Sequence, residues 1–173
     1  MSNKKALVAF FSHTGENYFP DGMRYIDKGN THIAAEILAD LLGADLFEIK
    51  SAEEYSAVYK ECVAQAVAEY KSGARPELKE NIDIDGYDVI YLGYPNWCGS
   101  MPMPVWTFLE SRDFSDKIIC PFCTNEGSGL ANSVDHIKNL VSGAEIKPSL
   151  PIRGSKVKES RADFENWLQI INN

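Results

Sequence analysis

The sequence has little cysteine, no excess of positive charge and no long apolar run. Four cysteines in 173 residues are too few for a disulfide scaffold, and a chain of this length can bury a sizeable core without one. Lysine and arginine number 17 against 25 aspartates and glutamates, a formal net charge of −8. That deficit opposes nucleic-acid binding, which needs basic patches to displace counterions. It favours partner proteins with basic docking surfaces. No apolar stretch approaches the roughly 18–20 residues of a transmembrane helix. The opening Met1-Ser2-Asn3-Lys4-Lys5 leads into Ala6–Phe11, which is too short for a signal-peptide core and is followed by no small-residue cleavage site. No membrane association and a cytoplasmic location are therefore expected.

What is present is ordinary globular material, 45% apolar and 24% charged, which excludes a disordered, collagen-like or coiled-coil chain. With no repeat or low-complexity tract, residues 1–173 are expected to form a single domain. Strand-like and helix-like segments alternate. Residues 5–11 are an apolar run like a strand buried on both faces. Residues 31–42 carry Ile33, Ile37, Leu38, Leu41 and Leu42 on one helical stripe, closed by Gly43. Further strands are expected at 45–49, 87–93, 117–123 and 144–148, and helices at 54–71, 104–111, 129–141 and 159–171. Five strands interleaved with helices predict a doubly wound parallel sheet with helices on both faces. Residues 16–29 do not fit, because a βα turn usually takes about 2–6 residues. They read as an insertion.

Such sheets bind ligands at the carboxyl ends of their strands, which singles out three loops. After the first strand stands Ser12-His13-Thr14-Gly15, and beyond the insertion Gly29-Asn30-Thr31 opens a helix. Hydroxyls, glycine and unpaired N–H groups at a helix N-terminus suit a phosphate. No Walker lysine is present, which argues against nucleoside triphosphate hydrolysis, and Gly-x-Gly-x-x-Gly is absent too. The alternative is that Asn30 or Thr31 is simply a helix cap. After the third strand comes Pro95-Asn96-Trp97-Cys98-Gly99. A tryptophan on such a loop offers a flat face to a planar ligand; alternatively it packs beneath the loop as core. After the fourth strand Thr124-Asn125-Glu126-Gly127-Ser128-Gly129 is rich in backbone donors that suit a ring's polar edge, or is a plain turn with Ser128 as a cap.

With these three loops in order, the chain resembles the flavodoxin-like family, specifically the bacterial FMN-binding flavodoxins. The family's phosphate loop, Ser/Thr-x-Thr-Gly-Asn-Thr, is matched here in two pieces, Ser12-His13-Thr14 and Gly29-Asn30-Thr31. Tyr94-Pro95-Asn96-Trp97-Cys98-Gly99 is similar to its first ring loop and Thr124–Gly129 to its second. The resemblance implies FMN, a flavodoxin-like sheet of order 2-1-3-4-5, and a low-potential carrier passing electrons between redox proteins. It also implies a backbone carbonyl within Asn96–Gly99 that accepts a ring proton. The insertion leaves two suppliers for the middle phosphate contacts, Gly15-Glu16-Asn17 and Gly29-Asn30, with Asn30 and Thr31 favoured because they open the helix. The alternative activity is an NAD(P)H-dependent FMN reductase acting on quinones or nitro compounds, with Tyr18, Phe19, Met23 and Tyr25 building substrate room. No catalytic side chain and no metal ligand set stands out. Cys120 and Cys123 form a C-x-x-C pair, but residues i and i+3 of a strand point to opposite faces about 10 Å apart, beyond the roughly 7 Å a disulfide spans. His32 and His136 read as surface residues.

Overall fold

A computed structural model describes residues 4–173. The first strand, β1 (Ala6–Phe10), is followed by a hairpin, β2 (Gly15–Phe19) and β3 (Gly22–Ile26), then by α1 (Asn30–Leu42), β4 (Asp45–Glu48) and α2 (Tyr59–Ser72). The second half runs β5 (Val89–Pro95), α3 (Met103–Glu110), β6 (Ile118–Asn125), α4 (Ser133–Leu140), β7 (Glu145–Ile146), β8 (Leu150–Arg153), a 3-10 helix (Gly154–Glu159) and α5 (Arg161–Asn172). The main sheet is parallel, in the order β4-β1-β5-β6-β7, with β8 also paired to β6. Counted along the chain that is 2-1-3-4-5, the flavodoxin-like order. None of the described helices is long and apolar enough to cross a membrane.

Period-two alternation sends each central strand into two cores. On one face Leu7, Ala9, Phe11, Ile90, Leu92 and Tyr94 meet Val105, Phe108 and Leu109 of α3 and Ile137 of α4. On the other, Val8, Phe10, Tyr91 and Phe122 meet Ala34, Ala35 and Leu38 of α1 and Phe164, Trp167 and Ile171 of α5. Cys120 and Cys123 fall into opposite cores as free thiols.

The structure departs from the sequence reading in four places. The fifth strand is split: β7 pairs Ile118 and Ile119, and β8 pairs Phe122 through Asn125. Pro148 lies in the gap. Helix α2 starts at Tyr59, several residues late, because Tyr55 turns inward to pack on Phe11 and Trp97. Helix α4 starts at Ser133 with Asn132 at its N-cap position, so Ser128 is not its cap. Residues 15–26 are an antiparallel hairpin, and its apolar residues are divided: Phe19 is buried, whereas Tyr18, Met23 and Tyr25 are exposed.

At the centre of the sheet, Gly93 lies opposite Phe122, and a β-carbon there would collide with the edge of the Phe122 ring. Gly93→Ala is expected to cost about 1–3 kcal/mol through overpacking, read as a lower urea midpoint at unchanged slope.

Candidate functional site

The carboxyl ends of β1, β5 and β6 open onto one cleft of about 550 Å³. From the first loop it is lined by Ser12, His13, Asn30 and Thr31, from the second by Pro95, Asn96, Trp97 and Cys98, and from the third by Thr124, Asn125, Glu126 and Ser128. Thr14, Gly99, Gly127 and Gly129, expected with them, do not line it. Thr14 is exposed to solvent.

The two halves of the first loop meet at Gly29. A β-carbon there would collide with Ser12 Oγ and stand 2.6 Å from the His13 carbonyl. Helix α1 has no side-chain cap of its own. Instead the His32 backbone N–H donates to Ser12 Oγ at 3.1 Å, so the loop after β1 caps the helix from outside. The Thr31 and Thr124 hydroxyls are 2.7 Å apart and buried. That pair consumes one of its two hydroxyl hydrogens and leaves the other to donate elsewhere.

His13 is not a solvated loop residue. Its Nε2 stands 3.0 Å from the Ser56 carbonyl, which can only accept, so Nε2 carries a hydrogen. Burial pulls its pKa below the ordinary value of 6.5, against the opposing pull of the Ser56 bond. The imidazole therefore stands neutral at pH 7 and adds no cation to the cleft. No lysine or arginine lines the cleft either.

The ring loop is a tight turn. Trp97 and Ser100 exchange backbone hydrogen bonds of 3.0 and 2.9 Å, and Cys98 and Gly99 between them have φ of 56° and 69°. Positive φ at both central residues is the mark of a type I′ turn, which favours glycine at the second. Trp97 is half-buried. Its ring packs edge-on to Phe11 at 5.2 Å and Tyr55 at 5.1 Å, and it also lines the cleft. Asn96 ties the second and third loops together: its N–H donates to Thr124 O at 2.9 Å and its side-chain amide to Gly129 O at 2.9 Å. Asn125 shapes the third loop, with Oδ1 accepting from the Gly127 and Gly129 N–H groups at 2.9 and 3.0 Å. Glu126 accepts from the Ser155 N–H and hydroxyl, pinning that loop to the 3-10 helix.

A family model of flavodoxins matches residues 23–171. This chain belongs to the flavodoxin family. The matched span takes in Gly29-Asn30-Thr31 and both ring loops, and begins after Ser12. The flavodoxin described here is similar to a candidate flavoprotein from Bacteroides eggerthii DSM 20697, 28% identical over 99% of each chain with a TM-score of 0.80. It is also similar to one from Bacteroides uniformis ATCC 8492, 27% identical over 97% of this chain and 99% of that one, TM-score 0.78. A flavoprotein from Lactobacillus acidophilus NCFM, solved in complex with FMN, shares the fold at 23% identity and TM-score 0.67, over 91% of this chain and 98% of that one. No curated protein matches the chain.

Of the hairpin residues the sequence offered, Asn17 and Tyr18 line this flavodoxin's cleft, whereas Phe19, Met23 and Tyr25 do not. Sequence reasoning missed the side formed by Tyr59, Cys62, Val63, Ala66 and Val67 of α2, and Gly154 after β8. Tyr59, Cys62 and Ala66 stood on a helical stripe in the sequence, but a stripe does not reveal what it faces. Burial pushes the Cys62 thiol up to about 12 and raises that of Cys98, so both stay protonated and neither is an activated nucleophile. His136, read as a surface residue, is half-buried with Nδ1 2.6 Å from Ser100 Oγ.

A depressed histidine pKa has a signed consequence. The fold favours neutral His13, so its stabilising contribution is complete above pH 6.5 and is lost as pH falls from there through the folded value. His13→Gln keeps a donor for the Ser56 carbonyl without titrating. It is expected to flatten that part of the stability–pH curve, measured by urea unfolding across the acid range. Asn125→Ala, which removes the acceptor shared by Gly127 and Gly129, is expected to speed hydrogen exchange of both amides at least tenfold.

Proposed function

We propose that this flavodoxin binds FMN and works in the cytoplasm as a low-potential carrier, passing electrons between redox proteins. The observation that carries the reading is the convergence of the three loops on one cleft with different chemistry at its two ends. The family match, and a neighbour of the same fold crystallised with FMN, support FMN as the cofactor. The donor set fits that group. Hydroxyls and a helix N-terminus stand at one end, and Pro95, Asn96 and Trp97 at the other. Bound FMN would supply the redox centre, which takes up one or two electrons.

Each loop then has a role. Ser12, His13, Asn30 and Thr31, with Thr124, hold the phosphate; with no cation in the cleft, the α1 N-terminus and the free hydroxyl hydrogens do the holding. Pro95, Asn96, Trp97 and Cys98 flank the ring, and Asn125, Glu126 and Ser128 face its polar edge. Gly99, Gly127 and Gly129, all at positive φ, serve by backbone conformation. The Trp97 and Gly99 carbonyls already accept from Ser100 and Asn132, so the carbonyls of Asn96 and Cys98 are left to accept a ring N–H. The aromatic wall and the net charge of −8 disfavour added negative charge in the cleft, which lowers the potential. The same charge suits partners with basic docking surfaces.

A second reading, an NAD(P)H-dependent reductase of quinones or nitro compounds, is favoured by one observation: the apolar side that α2 and the hairpin add to the cleft. Anaerobic reduction of the FMN-loaded protein separates the two. The carrier is reduced in two resolved one-electron steps and is not bleached by NAD(P)H; rapid bleaching followed by quinone turnover would establish the reductase.

Thr31→Val is expected to weaken FMN far more than riboflavin, since only FMN carries the phosphate. A lost hydrogen bond to a charged group is worth about 1.5–3 kcal/mol, roughly tenfold or more in affinity, read by flavin fluorescence titration. Equal losses for both ligands would show that the phosphate lies elsewhere.

A further inference from the structure

The ring loop is anchored by a side chain that lies outside the cleft. Ser100 closes the Trp97–Ser100 turn through both of its backbone groups, and it is fully buried. Its hydroxyl has one partner among the described residues, Nδ1 of His136 on α4, at 2.6 Å. Both groups are satisfied when the Ser100 hydroxyl donates and Nδ1 accepts, which puts the ring hydrogen on Nε2. Trp106 of α3 packs on the imidazole with ring centroids 5.0 Å apart. The Arg75 guanidinium, paired with Glu110, lies over Trp106 in turn. The imidazole is thus fixed in orientation, and neither it nor Ser100 lines the cleft.

The turn needs such a clamp. Cys98, at its first central position, is not glycine yet takes a φ of 56°, a left-handed conformation that is costly for a residue with a β-carbon. Strain of this kind persists only where the surroundings over-determine it. Three bonds do so here: the Asn96 N–H to Thr124 O before the turn, the Asn132 N–H to Gly99 O within it, and the Ser100–His136 bond at its end. On taking up two electrons and one proton, FMN gains a ring N–H that its oxidised form lacks. The carbonyls of Asn96 and Cys98 are those left to accept it. A loosened turn therefore holds reduced FMN less well and leaves oxidised FMN, which makes no such bond, nearly unaffected. The midpoint potential is set by the ratio of these two affinities. We propose that His136 is a positioning residue: through Ser100 it fixes the Trp97–Ser100 turn and thereby sets the potential of the bound FMN. The proposal rests on the FMN-binding reading of the cleft.

Redox equilibration of the FMN-loaded chain against a reference dye, with dithionite as the reductant, tests it. His136→Leu fills the half-buried site but offers no acceptor. It is expected to weaken reduced FMN at least tenfold more than oxidised FMN, a midpoint lower by about 30 mV for a two-electron couple. Ser100→Ala, which leaves His136 in place, is expected to lower the midpoint as far, and adding it to His136→Leu to lower it no further. His136→Asn puts Oδ1 where Nδ1 stands and is expected to restore the unaltered midpoint. In the flavin-free chain, exchange of the Ser100 amide, which donates to Trp97 O, is expected to be at least tenfold faster in His136→Leu. An unaltered midpoint in His136→Leu and Ser100→Ala overturns the proposal. So do equal losses of oxidised and reduced FMN, the mark of a merely structural role. A His136→Asn variant no better than His136→Leu also overturns it, because packing on Trp106 would then be what counts. Unaltered exchange at Ser100 overturns the clamp itself. A chain that takes up no FMN in a prior titration overturns the FMN reading, and the exchange measurement is independent of that outcome.

Discussion

One hydrogen bond organises the site: the His32 backbone N–H to Ser12 Oγ. A helix normally carries its own cap, and α1 has none. With a serine or aspartate at position 29 the helix would be self-sufficient, but the added side chain would evict Ser12. Glycine there lets Ser12, just past β1, do the capping, and the two pieces of the loop become one surface although fourteen residues separate Thr14 from Gly29. The same closure sets Thr31 against Thr124 and so ties the first loop to the third across the sheet. Asn96 then ties the second to the third. The loops are positioned by one another as much as by the strands beneath them.

The hairpin is held by its root. Glu16 donates its N–H to Ala57 O at 2.8 Å and accepts from the Tyr59 N–H through Oε2 at 2.9 Å. The carboxylate therefore stands at the first turn of α2, where the helix dipole favours negative charge. His13 binds the neighbouring Ser56 carbonyl. Loop, hairpin and α2 N-terminus are thus joined within a few residues. Antiparallel pairing of Tyr18 with Met23 and Glu16 with Tyr25 puts these four on one face. Phe19 turns the other way, under the Arg24 guanidinium at 4.6 Å.

Much of this was legible in the sequence, for reasons that also explain the gaps. β1, β5 and β6 are apolar on both faces, a signal that survives without knowledge of neighbours. Helix α1 shows a clear stripe and a glycine stop, and Gly43 takes the left-handed conformation expected of it. The hairpin was visible only as a misfit, yet Phe19-Pro20-Asp21-Gly22 holds the turn chemistry that marks one. The α2 side of the cleft was not legible. The spacing of Tyr59, Cys62 and Ala66 shows a buried stripe whether it faces a core or a cavity, and only the hairpin's position decides which.

The absence of lysine and arginine from the cleft accounts for how the site is built. A phosphate placed on an acidic protein is repelled at long range, and neutral His13 does not offset this. What remains is short-range: the partial positive charge of about half a unit at a helix N-terminus and hydroxyls that donate only at hydrogen-bond distance. Such donors tolerate little displacement, whereas a lysine on a flexible stem would follow the ligand. In the proposed site such donors would have to be held rigidly, and Ser12 is indeed fixed by the helix it caps and Thr31 by Thr124. The same lack of charge leaves the rest of the cleft free to favour uncharged rings. For the proposed FMN site, a cleft wall without lysine or arginine would demand precise geometry of the groups that meet the phosphate.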